Sequence, residues 1–206
     1  MHFLITGGGT REYIDPVRFI SNASSGRMGY ALTRAAQKAG HKVTLISASD
    51  LQPPVGIEFV GVDSAAEMFR AVKKHFPRCD CLIMAAAVAD YTPVRPAKAK
   101  IRKTNNPLAI KLKPTVDILK WAGIHKKKKQ IIVGFALEDR SVRAQAEKKL
   151  KEKNLDMIIA NTPVAIGAEK STVQIKKPNC KWLRFPQATK ITIAKRVIRE
   201  VESILE

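Results

Sequence analysis

The chain has 206 residues, enough to bury a substantial core in one domain without disulfides or metals. Its three cysteines form no CxxC pair, and no apolar run approaches the roughly 20 residues of a membrane helix. The N-terminus lacks a signal-peptide pattern. We therefore expect a soluble, cytoplasmic protein without a membrane partner. Lysine and arginine number 37 against 18 acidic residues, a net charge of +19, yet much of the excess lies in solvated runs and only 6% of the residues are aromatic, so we expect no specific nucleic-acid partner.

Short apolar or β-branched runs alternate with helical patterns as far as residue 161. Several runs are apolar on both faces, as in parallel strands that are covered by helices on both sides. The predicted strands are 2–6, 42–47, 57–62, 81–86, 131–136 and 157–161.

Apolar residues at helical spacing predict a helix from Met28 that stops at Gly40, a second over 64–76, a third around Ala146 and a last one from Ile193 onward. The alternation predicts an α/β class: a Rossmann-like, doubly wound, mostly parallel sheet. No repeat or linker interrupts it, so we expect residues 1–206 to form a single domain.

Two regions break the alternation. Residues 91–115 are rich in proline and lysine and contain the alternating "LAIKLK" (108–113), which predicts a flap that carries a strand. Residues 163–186 contain "VQIKK" and "WLRF", which predict an antiparallel pair that extends the sheet.

The first strand leads into "TGGGTREYIDPVRF" (6–19), where Gly8 and Gly9 would let the backbone approach a phosphate. The spacing is not the dinucleotide pattern GxGxxG, and a tight turn without a ligand is the alternative. Ser24, Ser25 and Gly26 are predicted to cap the next helix, either as an ordinary cap or as part of a triphosphate site.

Further polar residues fall where a ligand would lie, and each has an ordinary alternative. Asn22 is either a loop hydrogen-bonder or a donor to an acyl oxygen, and Asp90, after the small residues of "AAAVADY" (85–91), either caps a strand or accepts from a ribose or base. The lysines of "KAKIRK" (98–103), and Lys149 with Lys153 on one side of a helix, are either solvated or bind phosphate.

Taken together, these stretches resemble one family, phosphopantothenoylcysteine synthetase, the ligase of coenzyme A biosynthesis. The matches follow the family's order: "GGTREYIDPVRFISNASSGRMG" (8–29), "AAVADY" (86–91), "KIRK" (100–103), "VDIL" (116–119), "VGFALE" (133–138) and "KLKEKNLDMIIAN" (149–161). The resemblance implies that CTP, as in bacteria, or ATP, as in eukaryotes, activates 4'-phosphopantothenate as an acyl nucleotide with loss of pyrophosphate, and that the amine of L-cysteine then displaces the nucleotide. It also implies Mg²⁺ and a homodimer.

Carried over by position, Asn22 contacts the acyl nucleotide and Lys100 supports the cysteine-dependent step. The expected nucleotide-binding positions are Met84, Ala85, Ala86, Asp90, Lys100, Val116, Asp117, Ile118, Leu119, Phe135, Lys149 and Lys153, and the phosphate-binding features of the sequence add Gly8, Gly9, Ser24, Ser25 and Gly26. No metal ligands are assigned. Ala23 and Arg27 depart from the family's usual larger residue and lysine.

Many bacterial relatives fuse this domain behind a flavin-dependent decarboxylase, which makes that enzyme a candidate partner and this chain a stand-alone synthetase or an excised half. Two other functions are weighed. An NAD(P)-dependent oxidoreductase would use Asp50 as its ribose reader but lacks a Tyr-x-x-x-Lys pair, and a basic nucleic-acid-binding module would release no pyrophosphate.

Overall fold

The computed structural model describes residues 1–162 and 170–204, and within them one eight-stranded sheet and two short ribbons form the β-structure. The strands in chain order are β1 His2–Gly7, β2 Arg11–Tyr13, β3 Phe19–Ser21, β4 Lys42–Ser47, β5 Glu58–Gly61, β6 Cys81–Met84, β7 Tyr91–Pro93, β8 Leu112–Pro114, β9 Ile131–Leu137, β10 Met157–Asn161, β11 Lys170–Lys176 and β12 Leu183–Thr189.

The main sheet has the order β12-β11-β10-β9-β6-β1-β4-β5. Its six strands from β10 to β5 are parallel, and β11 and β12 extend it antiparallel. The predicted α/β class and antiparallel extension are therefore confirmed, although residues 163–169 of the predicted extension lie outside the described part of the chain.

Five helices are described: α1 Arg27–Lys38, α2 Ala65–His75, α3 Ile118–His125, α4 Val142–Glu152 and α5 Lys190–Glu202, with a short 3-10 helix, Phe76–Arg78, after α2. Side chains alternate along each strand, so Phe3 and Ile5 pack under α1 and α5, whereas Leu4 packs under α2, α3 and α4. Both faces of the sheet are thus covered, which explains the apolar strands. None of the described helices is long and apolar enough to cross a membrane.

The order of the strands places a topological switch at β1. From β1 the chain moves outward to β4 and β5 on one side, then returns to build β6, β9 and β10 on the other. In open α/β sheets a crevice forms at the carboxyl ends of the strands where this reversal occurs. The loops that follow β1 and β6 meet there, because the Ala87 amide donates to the Gly8 carbonyl at 2.8 Å.

The predicted flap over 91–115 does carry strands, since β7 and β8 pair within it. Only Leu112 and Lys113 of the alternating "LAIKLK" belong to a strand, however, and residues 94–111 form no regular secondary structure. A strand needs a partner of similar length, but β7 ends at Pro93 and the chain turns away before Pro96. Leu108 is consequently 58% exposed in spite of the alternating pattern.

Candidate active site

A cavity of about 570 Å³ opens at the carboxyl ends of β6 and β9, beside the first turn of α1. It lies at the switch point of the sheet, where ligands of this architecture bind. Most of the predicted site residues line it, namely Asn22, Ser24, Ser25, Gly26, Met84, Ala85, Ala86, Asp90, Val116, Asp117, Ile118, Leu119, Phe135, Lys149 and Lys153.

The first turn of α1 faces the cavity without a side-chain cap. Gly26 is the N-cap, with a left-handed φ of 75°, and no side chain accepts from the first-turn amides. The prediction that Ser24 and Ser25 cap this helix is wrong, because a Cβ on residue 26 would lie 2.7 Å from that of Ser49, so only glycine fits at the cap. The first turn also holds no acidic residue, and its unsatisfied amides favour an anion.

Gly8 and Gly9 lie beneath the cavity, outside its lining. A Cβ on Gly8, whose φ is +83°, would meet the Ala48 carbonyl carbon and the Ser49 amide nitrogen at 2.7 Å, and one on Gly9 would meet the Asn22 carbonyl oxygen at 2.6 Å. The absent side chains therefore let three loops pack closely. The structure gives these glycines a role in packing, the alternative that the sequence left open.

Asn22 joins the loop before α1 to the loop after β6. Its Nδ2 donates to the Val88 carbonyl at 3.1 Å and to the Ala87 carbonyl at 3.4 Å. Because both partners are acceptors, the amide group must face them, which leaves the carboxamide oxygen for the cavity. Asn22 is thus a loop hydrogen-bonder that also lines the cavity, but it presents only an acceptor oxygen there, so its predicted donation to an acyl oxygen stays a prediction.

Two of the cavity lysines belong to α4 and its C-cap, and each of these is paired with a carboxylate. Lys149 Nζ lies 2.5 Å from Glu138 Oε1, and Lys153 Nζ lies 2.8 Å from Asp117 Oδ2. Helical side chains lean toward the helix N-terminus, which for α4 lies on the cavity side of the sheet. Both long side chains therefore extend toward the cavity. Lys153 is the C-cap of α4 and follows its last helical residue, Glu152.

Asp117 has two structural partners. It is the N-cap of α3 and accepts from the Lys120 amide at 2.9 Å. Burial acts to raise the pKa of its carboxyl, but the hydrogen bonds from Lys153 and the Lys120 amide outweigh it and lower the pKa. Asp117 is therefore an ionised, internally neutralised group at the cavity wall.

Asp90 differs from Asp117, since its carboxylate makes no hydrogen bond or ion pair within residues 1–162 and 170–204. The adjacent backbone is fixed: the Thr115 amide donates to the Asp90 carbonyl at 2.9 Å, and the Thr115 hydroxyl donates to the Ala89 carbonyl at 2.6 Å. Asp90 is thus a carboxylate on a rigid loop, available to a ligand.

A family model described as "DNA/pantothenate metabolism flavoprotein C-terminal domain" matches residues 1–205. The chain belongs to this family. One relative is the coenzyme A biosynthesis bifunctional protein CoaBC of Bacillus subtilis, which is 43% identical over 209 residues that cover 98% of this chain and 51% of that protein. Its Mycobacterium tuberculosis counterpart is 44% identical over 172 residues that cover 77% of this chain and 41% of that protein. The chain therefore spans about half the length of these curated relatives.

Solved structures of the family agree with this fold. The C-terminal domain of a CoaBC protein superimposes with a TM-score of 0.85 at 40% identity, covering 99% of this chain and 95% of that one. The DNA/pantothenate metabolism flavoprotein of Streptococcus pneumoniae superimposes with a TM-score of 0.83 at 25% identity, covering 99% of each chain. The resemblance to phosphopantothenoylcysteine synthetase is confirmed at the level of the family.

Lys100 does not line the cavity. It lies exposed within residues 94–111, which dock on the turn between β2 and β3 and not on the main sheet. Its predicted role in the cysteine-dependent step stays a prediction, as do the nucleotide-binding roles assigned to Gly8 and Gly9.

Some residues of the cavity were missed from the sequence. Asn161, the last residue of β10, carried a detectable signal, because polar residues at the carboxyl ends of parallel strands meet at one edge. Ser171 and Lys190 come from β11 and α5, and only the long-range pairing of β11 with β10 brings them near.

Proposed function

We propose that this chain is a phosphopantothenate–cysteine ligase. It would join 4'-phosphopantothenate to L-cysteine through an acyl nucleotide and give 4'-phosphopantothenoylcysteine, a nucleoside monophosphate and pyrophosphate. Support comes from the family and from the names of relatives, which assign coenzyme A biosynthesis to bifunctional proteins twice the length of this chain. The oxidoreductase alternative is not supported at this cavity, because Asp50, its candidate ribose reader, does not line it and instead pairs with Arg11 at 2.5 Å.

The observation that carries the proposal is the convergence of three groups on one cavity: the uncapped first turn of α1, the Asn22 carboxamide and the free Asp90 carboxylate. Acyl activation brings a carboxylate against the α-phosphate of a nucleotide, so the protein must hold two anions in line. The first-turn amides and Arg27 suit the phosphates, and Asp90 suits a hydroxyl or an exocyclic amine. Asn22 would donate to the acyl oxygen by exchanging one of its loop carbonyl partners for it.

The remaining walls suit a nucleoside. Ala85 and Ala86 leave room beside β6, while Leu119 and Phe135 offer apolar surface to a flat ring. We propose CTP in preference to ATP, since the relatives named above are bacterial proteins. Lys149 and Lys153 would exchange part of their pairing with Glu138 and Asp117 for phosphate oxygens.

Mg²⁺ fits this cavity only in a limited way. Among residues 1–162 and 170–204 no cluster of three or more His, Cys, Asp or Glu side chains could hold a metal. Protein-bound Mg²⁺ often has one or two carboxylates and takes its other ligands from phosphates and water, so Asp90 would suffice on the protein side. The ion would neutralise triphosphate charge, and the protein groups would orient the reactants.

The surface of the two ribbons supports a homodimer. β2–β3 and β7–β8 contact each other and expose apolar side chains, with Val17 57%, Phe19 45% and Tyr91 55% exposed. We propose that this face meets a second copy, which would bring Lys100 of one protomer toward the other protomer's cavity. The flavin-dependent decarboxylase would be a partner or a fused half, and both would act in the cytoplasm.

Staged addition of reactants tests the proposal. The protein with CTP, Mg²⁺ and 4'-phosphopantothenate, but no cysteine, should release a stoichiometric burst of pyrophosphate, and cysteine should then start steady turnover to the amide and CMP. A parallel series with ATP measures the nucleotide preference. Absence of pyrophosphate with either nucleotide, or pyrophosphate release that does not need 4'-phosphopantothenate, would contradict the proposal.

A further inference from the structure

The turn between β2 and β3 contains a buried carboxylate with an unusual number of donors. Asp15 is 1% exposed. Its Oδ1 accepts from the amides of Val17 at 2.9 Å and Arg18 at 2.8 Å, and its Oδ2 accepts from Arg18 Nε at 2.9 Å, Arg18 Nη2 at 2.5 Å and the Ile101 amide at 3.1 Å. The Arg18 guanidinium is the main reason that the pKa of this carboxyl lies well below its usual range, and it outweighs the opposing effect of burial.

The segment that carries Lys100 depends on this turn. Residues 94–111 have no regular secondary structure, and two backbone contacts fix the stretch around Lys100: the Ala97 amide donates to the Ile14 carbonyl at 2.8 Å, and the Ile101 amide donates to Asp15. Arg18 Nη2 adds a bond to the Ile101 carbonyl at 2.6 Å. The residue next to Lys100 is therefore held on both its amide and its carbonyl side.

The two oxygens of Asp15 have separate tasks. Oδ1 closes the turn, which an asparagine oxygen does equally well in an Asx-turn. Oδ2 faces the guanidinium and the Ile101 amide, and a neutral oxygen would hold these donors less strongly. A buried negative charge is costly unless it is paired. The donors that Oδ2 holds, the guanidinium and the Ile101 amide, therefore explain why a charged aspartate occupies this position.

We propose that Asp15 is a positioning residue that fixes Lys100 for the cysteine-dependent step. The same turn continues through β3 to Asn22, which is bonded to the loop after β6. A single short ribbon thus sets the positions of both residues that the family resemblance marks as catalytic. The inference rests on the proposed ligase function, but the physical link between Asp15 and residues 97–101 does not.

Asp15→Asn tests the link, because it keeps the turn oxygen and replaces Oδ2 with an amide that faces other donors. Hydrogen exchange should show the hydrogen-bonded amides of Ala97 and Ile101 opening about tenfold faster, with α5 unchanged. Glu200→Gln is the matched control, since it breaks the Lys177–Glu200 pair at 2.7 Å on α5 and should leave residues 97–103 as they are. Unchanged exchange in Asp15→Asn would overturn the proposal whether or not the chain is a ligase.

The kinetic readout separates positioning from general damage. Asp15→Asn should slow amide formation about tenfold, while pyrophosphate release before cysteine changes less than about twofold. In a Lys100→Gln background the same change should cost nothing more, because Asp15 acts through Lys100. Equal loss in both half-reactions, or full additivity with Lys100→Gln, would refute the role.

A second variant applies if Asp15→Asn does not fold. Arg18→Lys keeps a cation beside Asp15, but a single ammonium cannot reproduce the fork that reaches both Asp15 and the Ile101 carbonyl. It should give a smaller increase in exchange over 97–103 and a smaller loss in amide formation. Wild-type exchange in Arg18→Lys would likewise count against the link.

Discussion

The two residues that the family resemblance marks as catalytic, Asn22 and Lys100, are held by different kinds of structure. Asn22 stands on loops that glycines allow to pack backbone against backbone at the carboxyl edge of a parallel sheet. Lys100 stands on residues 94–111, which have no regular structure and are held near Lys100 by a few contacts to a neighbouring turn with a buried carboxylate. The glycine-packed loops under Asn22, called the glycine frame below, are part of the edge of the sheet. The segment under Lys100 depends on a few side-chain contacts.

The difference indicates how the two half-reactions could be separated. Groups for phosphate and acyl binding line a cavity that every parallel strand around the switch point helps to build. The lysine assigned to the cysteine-dependent step lies in a segment without regular structure, outside that cavity lining. Changes to the glycine frame should therefore damage both steps, and changes to the flap should damage one.

The largest expected effect comes from adding a side chain to the glycine frame. Gly8→Ala should lower the free energy of unfolding by about 3 kcal/mol, since the new Cβ meets backbone atoms of Ala48 and Ser49 at 2.7 Å. Gly40→Ala is the matched control: its φ is also positive, at +82°, but nothing lies within 4 Å, so only the conformational cost of about 1 kcal/mol applies. Urea unfolding measures both, and equal losses would show that close packing is not what Gly8 provides.

A smaller effect is expected at Asn22, on catalysis and not on folding. Asn22→Asp places a carboxylate against the carbonyls of Ala87 and Val88 and next to an anionic intermediate, so kcat should fall about 100-fold. Asn22→Ala, which removes the amide without adding charge, should cost about tenfold. Near-wild-type turnover in Asn22→Asp at an unchanged melting temperature would exclude the assigned role.

Lys100→Gln tests whether the segment that carries Lys100 serves only one of the two half-reactions. Amide formation should slow about tenfold while the pyrophosphate burst keeps its rate, because Lys100 lies outside the cavity lining. Rapid-quench measurement of both half-reactions checks this. A slower burst would mean that Lys100 also serves the activation step.

The weakest effect is expected at the Lys153–Asp117 pair. Asp117 has a pKa below its usual value, so its stabilising contribution is complete above about pH 4 and is lost as the pH falls through the folded-state value. Lys153→Gln should therefore lower the unfolding free energy at pH 7 by at most about 1 kcal/mol, and the difference from wild type should shrink below about pH 4. Lys148→Gln, which breaks the exposed pair with Glu152, is the control and should change stability by only about 0.3 kcal/mol at pH 7.

The parallel sheet and its helices could be predicted from the sequence because burial on both faces leaves an unbroken apolar signal in each strand. Local rules were less reliable where tertiary contacts decide the outcome. Ser24 and Ser25 have the composition of a cap, yet contact with Ser49 reserves the cap position for Gly26. The alternation over 108–113 lacks a strand long enough to pair with.

The site was predictable where motifs follow strand ends, as at Asn22, Asp90 and residues 84–86. It was not predictable where partners come from distant parts of the chain. Asp15 precedes a proline, which suggests a turn, but its bond to the Ile101 amide spans 86 positions and leaves no local pattern. Ser171 and Lys190 reach the cavity only through the antiparallel extension.

Isotope transfer tests the central claim most directly. 4'-Phosphopantothenate with ¹⁸O in its carboxylate is turned over with CTP and L-cysteine, and the CMP is analysed by mass spectrometry. If the carboxylate attacks the α-phosphate and the amine later expels the nucleotide, each CMP carries one carboxylate oxygen. Unlabelled CMP, with the label in inorganic phosphate or water, would contradict an acyl nucleotide formed in this cavity.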